Sequence, residues 1–374
     1  MARARVKPSF WSGKKVFVTG HTGFMGGWLT LSLARMGAKV TGYALTPPTE
    51  PNLFTAAKVD ATCRTTIADV RDLESLARAV ADARPDVVFH LAAQPLVRYA
   101  HGHPVETYGT NVMGTVHLME AVRRTPSPSA VVVVTTDKVY DNREWAWGYR
   151  ETDAIGGPEP YGNSKACAEF VVDAYRRSYF ADGRIGIATV RAGNIIGGGD
   201  WALDRLVPDA IRAFADGKTL RIRNPNAIRP FQHVLDPVRG MTMLAERIAA
   251  EPAAFTGGWN FGPAESDTRS AAWMADRIAR LWGPTARWQA ESVAGPHEAR
   301  LLVLSSAQAH ARLGWQPTWE SDAATVRAVA WYRAFYDGAE MASLTQSQIN
   351  EHEATSNAST VETAHGPASV TPAA

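Results

Sequence analysis

The sequence has only two cysteines, Cys63 and Cys167, and lacks an apolar run of the roughly 18 residues that a membrane-spanning helix needs. Two cysteines cannot build a disulfide framework. Residues 1–15 are basic but contain no apolar segment of the secretory type, so we expect no secretory signal. An excess of one charge sign is also missing, because 39 Lys and Arg stand against 37 Asp and Glu. We therefore expect a cytoplasmic protein that binds neither membranes nor nucleic acid.

Metal-binding patterns are scarce as well. His101 and His103 are close in sequence, but no third ligand follows at a useful spacing and neither CxxC nor HExxH occurs, so we expect no metal site. The last residues, 339–374, are rich in Ala, Ser, Thr and Glu and poor in large apolar residues. Because such a segment buries little apolar surface, we predict a disordered tail there.

What the sequence does contain is a regular alternation of short apolar runs and longer amphipathic segments. The 374 residues are 45% hydrophobic and 20% charged, typical of a globular protein with one large or two coupled domains. This alternation predicts an α/β fold with a Rossmann-like, doubly wound parallel sheet. Strands are expected at 15–19, 39–43, 65–67, 87–91 and 131–135, and helices at 23–36, 72–83, 104–124 and 161–179. We predict a dinucleotide-binding domain at 11–192 and a smaller α/β substrate-binding domain at 193–338, partly interleaved with the first.

A glycine-rich turn follows the first predicted strand. It reads Gly20-His-Thr-Gly23-Phe-Met-Gly26, the spacing G-x-x-G-x-x-G. Glycines are required where the backbone turns sharply and approaches a pyrophosphate closely, and the amides of the next helix then face the phosphates. Between an apolar strand and an amphipathic helix, this pattern predicts a dinucleotide site rather than an ordinary turn. We expect contacts from Gly20, Thr22, Gly23, Phe24, Met25 and Gly26.

The end of the second strand lacks the acid that usually holds the adenosine ribose. The segment from Tyr43 to Pro48 has Thr46 but neither an acid nor an arginine. The missing arginine favours NAD over NADP. After the third strand, Asp69 and Val70 are candidates for contact with the adenine. The alternative for Asp69 is the N-cap of the helix that follows, and the sequence does not decide between the two roles.

A possible proton-transfer pair opens a later helix. Tyr161 and Lys165 are four residues apart and therefore lie on one helix face. Tyrosine, with a pKa of about 10, is a poor base at neutral pH, but a nearby cation favours the phenolate and would let Tyr161 take a proton from an alcohol. The alternative is an exposed helix start. The glycine turn and Thr136, at the end of the fifth strand, favour the catalytic interpretation.

A second polar cluster, Thr136-Asp137-Lys138, follows that fifth strand, where open α/β sheets place their sites. Thr136 can bind a substrate hydroxyl. Asp137 can donate a proton if its pKa is raised, and Lys138 can accept one if its pKa is lowered. A solvated turn is the alternative. Lysine is rare here, with 8 Lys against 31 Arg, and unlike arginine it can lose its proton when desolvated.

At these residues the sequence resembles the extended short-chain dehydrogenases/reductases, and among them the CDP-glucose 4,6-dehydratase branch. The resemblance extends from about Trp11 to Asp337. The segment from Thr136 to Glu151 is specific to this branch, whereas Tyr-x-x-x-Lys marks the whole superfamily. The matching segments also include Ala92–Val97, Asn111–Thr115, Arg191–Asn194, Arg229–His233, Trp259–Pro263 and His297–Arg300.

This resemblance implies a bound NAD that is reduced and reoxidised in each turnover, and dehydration of CDP-glucose to CDP-4-dehydro-6-deoxyglucose. Thr136, Tyr161 and Lys165 would serve hydride transfer, and Asp137 and Lys138 the elimination. It adds the cofactor contacts Leu91, Ala92, Ala93 and Asn111, and the substrate contacts Gln94, Asn194, Arg205, Arg229 and His297. It also implies a homodimer or a dimer of dimers, formed through helices near 105–122 and 170–179.

Alternatives and departures remain open at this point. A 4,6-dehydratase of another nucleotide sugar fits the same residues. A nucleotide-sugar 4-epimerase would share NAD, Tyr161 and Lys165 but would not need Asp137 and Lys138. A non-catalytic dinucleotide sensor could lose the tyrosine, and the retained catalytic residue types argue against it. Thr46 leaves ribose recognition undefined, while Phe231 and Met25 replace the Trp and Lys of relatives.

Overall fold

The computed structural model describes residues 5–291 and 299–362. Its strands are β1 (Lys15–Thr19), β2 (Lys39–Ala44), β3 (Arg64–Ile67), β4 (Val87–His90), β5 (Ala130–Val134), β6 (Gly186–Ala192), β7 (Ile195–Ile196), β8 (Leu220–Ile222), β9 (Ile228–Arg229), β10 (Gln232–His233), β11 (Gly257–Phe261), β12 (Arg269–Ser270) and β13 (Trp288–Ala290). Its helices are α1 (Pro8–Trp11), α2 (Phe24–Arg35), α3 (Leu53–Ala56), α4 (Leu73–Ala83), α5 (Val97–Gly102), α6 (Pro104–Tyr108), α7 (Gly114–Arg124), α8 (Pro160–Tyr179), α9 (Leu206–Ala215), α10 (Leu235–Ala250), α11 (Pro252–Phe255), α12 (Ala271–Trp282), α13 (Ser321–Tyr336) and α14 (Met341–Glu362).

Seven strands form the main sheet, in the order β11-β6-β5-β4-β1-β2-β3. Every neighbouring pair in it is parallel. The predicted α/β Rossmann-like doubly wound sheet is therefore confirmed. The strand order reverses between β1 and β4, and ligands bind in such sheets at the carboxyl ends of the strands beside this reversal.

The strands are apolar because helices cover both faces of the sheet, as parallel sheets require. Val16 and Val18 of β1 belong to the core on one face, together with Trp28 of α2 and Leu244 of α10. Phe17 points into the opposite core, which α4, α7 and α8 line. The period-2 alternation of a strand thus supplies both cores from a single short segment.

The chain after residue 193 contributes to this sheet as well. β11 pairs with β6 at the sheet edge, and α10 packs on one sheet face. The remaining short strands form the pairs β7–β10, β8–β13 and β9–β12. The division of the chain into domains at 11–192 and 193–338 stays a prediction.

The structure of the C-terminal segment differs from the predicted disordered tail. Residues 341–362 form α14 instead of a disordered tail, and residues 363–374 lie outside the described part of the chain. The buried side chains of α14 are largely polar, so the composition of the segment predicted disorder. These side chains nevertheless have hydrogen-bond partners elsewhere in the fold. His352 Nε2 lies 2.9 Å from Asp236 Oδ1, and Trp331 Nε1 donates to Thr345 Oγ1 at 2.9 Å. Ile349 is only 2% exposed, so α14 belongs to the core.

Across residues 5–291 and 299–362, no helix combines the length and apolar character needed to cross a membrane.

Candidate active site

The glycine turn joins β1 to α2 with very little space around it. Gly20 has φ +78°, and a Cβ built on it would lie 2.6 Å from the amide nitrogen of Ala92. A Cβ on Gly26 would overlap the carbonyl oxygen of Gly20. Both positions therefore require glycine, because a Cβ at either one would clash with the neighbouring backbone. Gly20 also needs glycine for its positive φ.

The start of α2 presents free amide groups. Gly23 is the N-cap and has no side chain to cap the helix, while the Thr22 hydroxyl donates to Leu45 O at 2.9 Å and holds the turn against β2. Phe24 and Met25 begin the helix and pack partly buried against the core. A helix N-terminus with uncapped amides beside a glycine turn fits the diphosphate of a dinucleotide.

At the end of β3, Asp69 is bound by its neighbour Arg71. The Asp69 carboxylate accepts from the Arg71 amide at 2.8 Å, from Nε at 2.9 Å and from Nη2 at 2.6 Å. The hydrogen bonds from Arg71 lower the pKa of Asp69 and keep it ionised. Asp72 is the N-cap of α4, so the N-cap role considered for Asp69 is wrong. Val70 is buried.

The loop after β4 is held close to the glycine turn. The Thr19 hydroxyl accepts from the amides of Leu91 and Ala92, each at 3.2 Å. The predicted cofactor contacts Leu91, Ala92 and Ala93 therefore follow β4 at the same sheet edge as Gly20.

Asn111 fixes the rest of this loop from a single π-helical turn, residues 109–113, between α6 and α7. Its Oδ1 accepts from the Gln94 amide at 2.8 Å, and its Nδ2 donates to Gln94 O at 3.1 Å and to Ser164 Oγ at 2.9 Å. The Gln94 side chain, a predicted substrate contact, is bound inside the loop by the Leu96 amide at 2.6 Å and by Thr107 Oγ1 at 2.9 Å.

Tyr161 lies in the first turn of α8, which begins at Pro160 with Glu159 as its N-cap. Burial raises the pKa of Tyr161 to about 12, although a hydrogen bond with Thr136 and the charge of Arg205 act in the opposite direction. Tyr161 thus lies near Thr136 at the end of β5, and Arg205 is a cation near the phenol.

Lys165 lies one turn further along α8. Its Nζ donates to Val134 O at 2.9 Å, and burial lowers its pKa to about 8. The sequence predicts that Lys165 lowers the pKa of Tyr161, but burial raises that pKa, and the cation that opposes the rise is Arg205. The buried phenol therefore stays protonated unless a ligand adds a further positive charge.

The turn after β5 carries the second cluster. Thr136 Oγ1 accepts from the Lys138 amide at 3.3 Å and donates to Asp137 Oδ1 at 3.0 Å. Asp137 is 3% exposed, and burial raises its pKa despite the neighbouring Lys138 and Arg229. Its Oδ2 has no hydrogen-bond partner within the described residues. A carboxyl group in this position favours its protonated form and can act as an acid.

Two predicted substrate residues surround this cluster. Arg205 Nη1 forms an ion pair with Asp200 Oδ2 at 2.8 Å. Arg229 donates to Ala299 O at 2.6 Å and to Ile228 O at 2.9 Å, and its charge lowers the pKa of Asp137.

Asn194 and His297 are two more of the predicted substrate residues. Asn194 follows β6, and its carbonyl oxygen accepts from the Gln232 amide at 3.1 Å. His297 lies outside the described residues.

Sequence reasoning missed a buried ion pair beneath these residues. Glu169 and Arg191 are in contact at 2.9 Å, with both side chains 6% exposed. Glu169 lies four residues after Lys165, the helical spacing already used to connect Tyr161 with Lys165, so the pattern was present in the sequence. The described residues contain no cluster of three or more potential metal ligands.

Comparison with known proteins identifies the family. A family model described as GDP-mannose 4,6 dehydratase matches residues 17–326. A CDP-glucose 4,6-dehydratase from Salmonella typhimurium is 47% identical over 352 residues, which cover 93% of this chain and 98% of the relative. The chain belongs to the 4,6-dehydratase family. The resemblance inferred from the motifs is confirmed.

Solved structures agree with this 4,6-dehydratase fold. MoeE5 in complex with UDP-glucuronic acid and NAD is 25% identical, with a TM-score of 0.71 over 86% of this chain and 99% of that one. The UDP-glucose 4-epimerase of Thermus thermophilus, in complex with NAD, is 23% identical, with a TM-score of 0.72 over 85% of this chain and 98% of that one. At that identity the epimerase supports the fold alone.

Proposed function

We propose that this chain is a hydro-lyase that converts CDP-glucose to CDP-4-dehydro-6-deoxyglucose with NAD as a recycled cofactor. The observation that carries the proposal is the meeting of Thr136, Asp137 and Tyr161 at the carboxyl end of β5, in a chain 47% identical to a CDP-glucose 4,6-dehydratase. A bound NAD would supply the hydride acceptor for oxidation at C4 and, once reduced, the hydride donor for C6, with a proton returned to C5.

The residues for NAD lie along one edge of the sheet. Gly20, Gly23 and Gly26 leave the space that a diphosphate needs, and the uncapped start of α2 faces it. Asp69 is an ionised carboxylate at the end of β3 and would accept from the adenine amino group. The missing arginine after β2 supports NAD over NADP.

Oxidation at C4 requires a base for the hydroxyl proton. Tyr161 takes that role, with Thr136 binding the same sugar oxygen and Lys165 and Arg205 supplying positive charge. Since burial holds the phenol pKa at about 12 in the protein alone, the positively charged nicotinamide would help to lower it.

Elimination requires an acid for the departing C6 oxygen and a base for the C5 proton. The ketone at C4 acidifies C5–H. Asp137, whose burial raises its pKa, supplies the proton to the leaving water, and Lys138 is the proposed base. A 4-epimerase would need neither group, so their presence supports dehydration.

For substrate binding we propose Asn194, Arg205, Arg229, Gln94 and His297. Arg205 and Arg229 would bind the diphosphate, since guanidinium groups bind phosphate oxygens bidentately. The electrostatic effect of Arg205 on Tyr161 and of Arg229 on Asp137 supports placing both near the sugar.

We further propose that the chain forms a homodimer, or a dimer of dimers, through α6–α8. Large apolar side chains are exposed there: Val105 is 86%, Phe170 58% and Tyr179 57% exposed. Because nucleotide sugars and NAD are cytoplasmic metabolites, we place the reaction in the cytoplasm. Sedimentation of the wild type and of Phe170→Arg tests the dimer, and a monomeric wild type would exclude it.

The substrate is tested by incubating the purified chain with CDP-, UDP-, GDP- and dTDP-glucose and analysing the products by mass spectrometry. We expect loss of one water from CDP-glucose at the highest rate. Loss of water from another nucleotide sugar in preference would assign the chain to that substrate. A product of unchanged mass that separates from the substrate by chromatography would indicate an epimerase.

A further inference from the structure

Glu169 is a fully bonded carboxylate beneath the active site. Its Oε1 accepts from Thr135 Oγ1 at 2.6 Å and from Arg191 Nε at 2.9 Å. Its Oε2 accepts from Thr189 Oγ1 at 2.6 Å and from Arg191 Nη2 at 3.0 Å. Four donors from β6 and the end of β5 therefore hold one side chain of α8, and water has almost no access to it.

These contacts reach both halves of the acid–base site. Thr135 immediately precedes Thr136, so Glu169 anchors the strand end that carries the Thr136 hydroxyl. Arg191 Nη1 donates to Tyr140 Oη at 2.9 Å and to Glu151 O at 3.1 Å. Tyr140 directly follows the turn that contains Asp137 and Lys138, so the same ion pair also fixes the far end of that turn.

The charge of Glu169 also acts on Lys165, one helical turn away. Burial lowers the pKa of Lys165 and the Glu169 carboxylate opposes this effect. The groups around Lys165 include His90 of β4, whose burial lowers its pKa to about 3 and keeps it neutral, and Tyr161 on the same helix face. Arg191 of β6 is bound to Glu169. Among the described charged groups around Lys165, Glu169 is thus the one identified as favouring the ammonium, which also donates to Val134 O.

We propose that Glu169 is a positioning residue for catalysis, which aligns Thr136 through Thr135 and keeps Lys165 positively charged beside Tyr161. This inference rests on the proposed function for its catalytic meaning. Stability alone explains the pair poorly, because a buried ion pair is often replaced by apolar residues without loss of stability.

The charge of Lys165 can be measured without substrate or NAD. The chain has eight lysines, so ¹³Cε-lysine labelling gives a small set of NMR signals, and Lys165→Met identifies the relevant one. We expect Lys165 to titrate with a pKa of about 8 in the wild type. In Glu169→Gln, which keeps the shape but removes the charge, the pKa is expected to fall by about one further unit.

A second variant covers the case in which Glu169→Gln leaves Arg191 unpaired and fails to fold. Glu169→Met with Arg191→Met replaces both charges by apolar groups and should give the same fall in the pKa of Lys165. Asp182→Asn, an exposed carboxylate bound by Arg184 in the α8–β6 loop, is the matched control and should leave that pKa unchanged. A Lys165 pKa within a few tenths of a unit of the wild type in a folded variant lacking the Glu169 charge overturns the proposal.

The pH dependence of kcat/KM for CDP-glucose supplies the catalytic test. The alkaline limb should move to lower pH in both Glu169 variants by the same amount as the Lys165 pKa, and should stay in place in Asp182→Asn. An unmoved limb in an active variant refutes the inference. If the wild type does not convert CDP-glucose, the proposed function fails instead, and the Lys165 titration still decides the role of the Glu169 charge.

Discussion

Glu246 of α10 makes the stability of the fold depend on pH near neutrality. Its side chain is 7% exposed, and Oε1 accepts from the Lys7 amide and from Trp11 Nε1, both at 2.8 Å. These bonds hold α1 against the rest of the chain. Burial outweighs them and raises the pKa of Glu246 from 4.5 to about 7.

The sign of the effect follows from proton binding. Between about pH 4.5 and 7 the folded chain binds the Glu246 proton more tightly than the unfolded chain, so stability falls as pH rises through this window. Above pH 7 the full cost of ionising the buried Glu246 carboxylate is present, a pKa difference of about 2.5 units at about 1.4 kcal/mol each, or at most about 3.5 kcal/mol. Glu246→Gln keeps an acceptor for both donors and removes the ionisation.

The assay is urea unfolding of the wild type and Glu246→Gln at pH 5, 6, 7 and 8 and at one protein concentration. We expect the two proteins to be similar at pH 5 and the variant to be more stable by up to about 3.5 kcal/mol at pH 8. Glu120→Gln, whose carboxylate contacts Arg123 and Arg124 at the surface, is the control for neutralising a glutamate. A difference that stays constant from pH 5 to pH 8 would refute the reasoning.

Three further predictions concern the site and α14. Tyr161→Phe should lower turnover by about 10²–10⁴-fold with NAD still bound, as measured by steady-state rate and cofactor content, and a near-wild-type rate would exclude Tyr161 as the base. Asp137→Asn and Lys138→Met should still reduce bound NAD, seen as NADH absorbance, but release little 6-deoxy product; full dehydration by both would remove them from the chemistry. His352→Ala removes one of the two hydrogen-bond partners of the buried Asp236 carboxylate, the other being the Thr318 amide, and should cost about 2 kcal/mol in urea unfolding, whereas a loss below about 0.5 kcal/mol would show that this contact of α14 contributes little.

The strongly patterned half of the fold could be predicted from sequence. β1 has its predicted bounds, and β4 and β5 lie within one residue of theirs, because strands buried on both faces are nearly continuous apolar runs. The glycine turn was equally predictable, since Gly20 and Gly26 each meet a steric limit that only glycine satisfies. The limit at Gly26 comes from the backbone of its own turn, whereas the neighbour that limits Gly20 is Ala92, in the loop after β4.

Other features depend on partners distant in sequence. α14 buries polar side chains, and Asp236, the partner of His352, lies 116 residues away, so composition alone predicted disorder. The side-chain amide of Gln94 is held by the Leu96 amide and by Thr107 of α6, and the contact with α6 is not written in the sequence around Gln94. The pKa of Tyr161 depends on how deeply the phenol is buried, which the Tyr-x-x-x-Lys spacing does not contain.

The central claim is that hydride leaves C4 and returns to C6 of the same sugar while NAD is regenerated. Its most direct test is turnover of CDP-glucose carrying deuterium at C4, followed by NMR and mass analysis of the product and by absorbance for NADH. We expect product with deuterium at C6, loss of one water and no accumulation of NADH. Deuterium returned to C4 of an isobaric sugar, or product formed only in step with NADH, would contradict it.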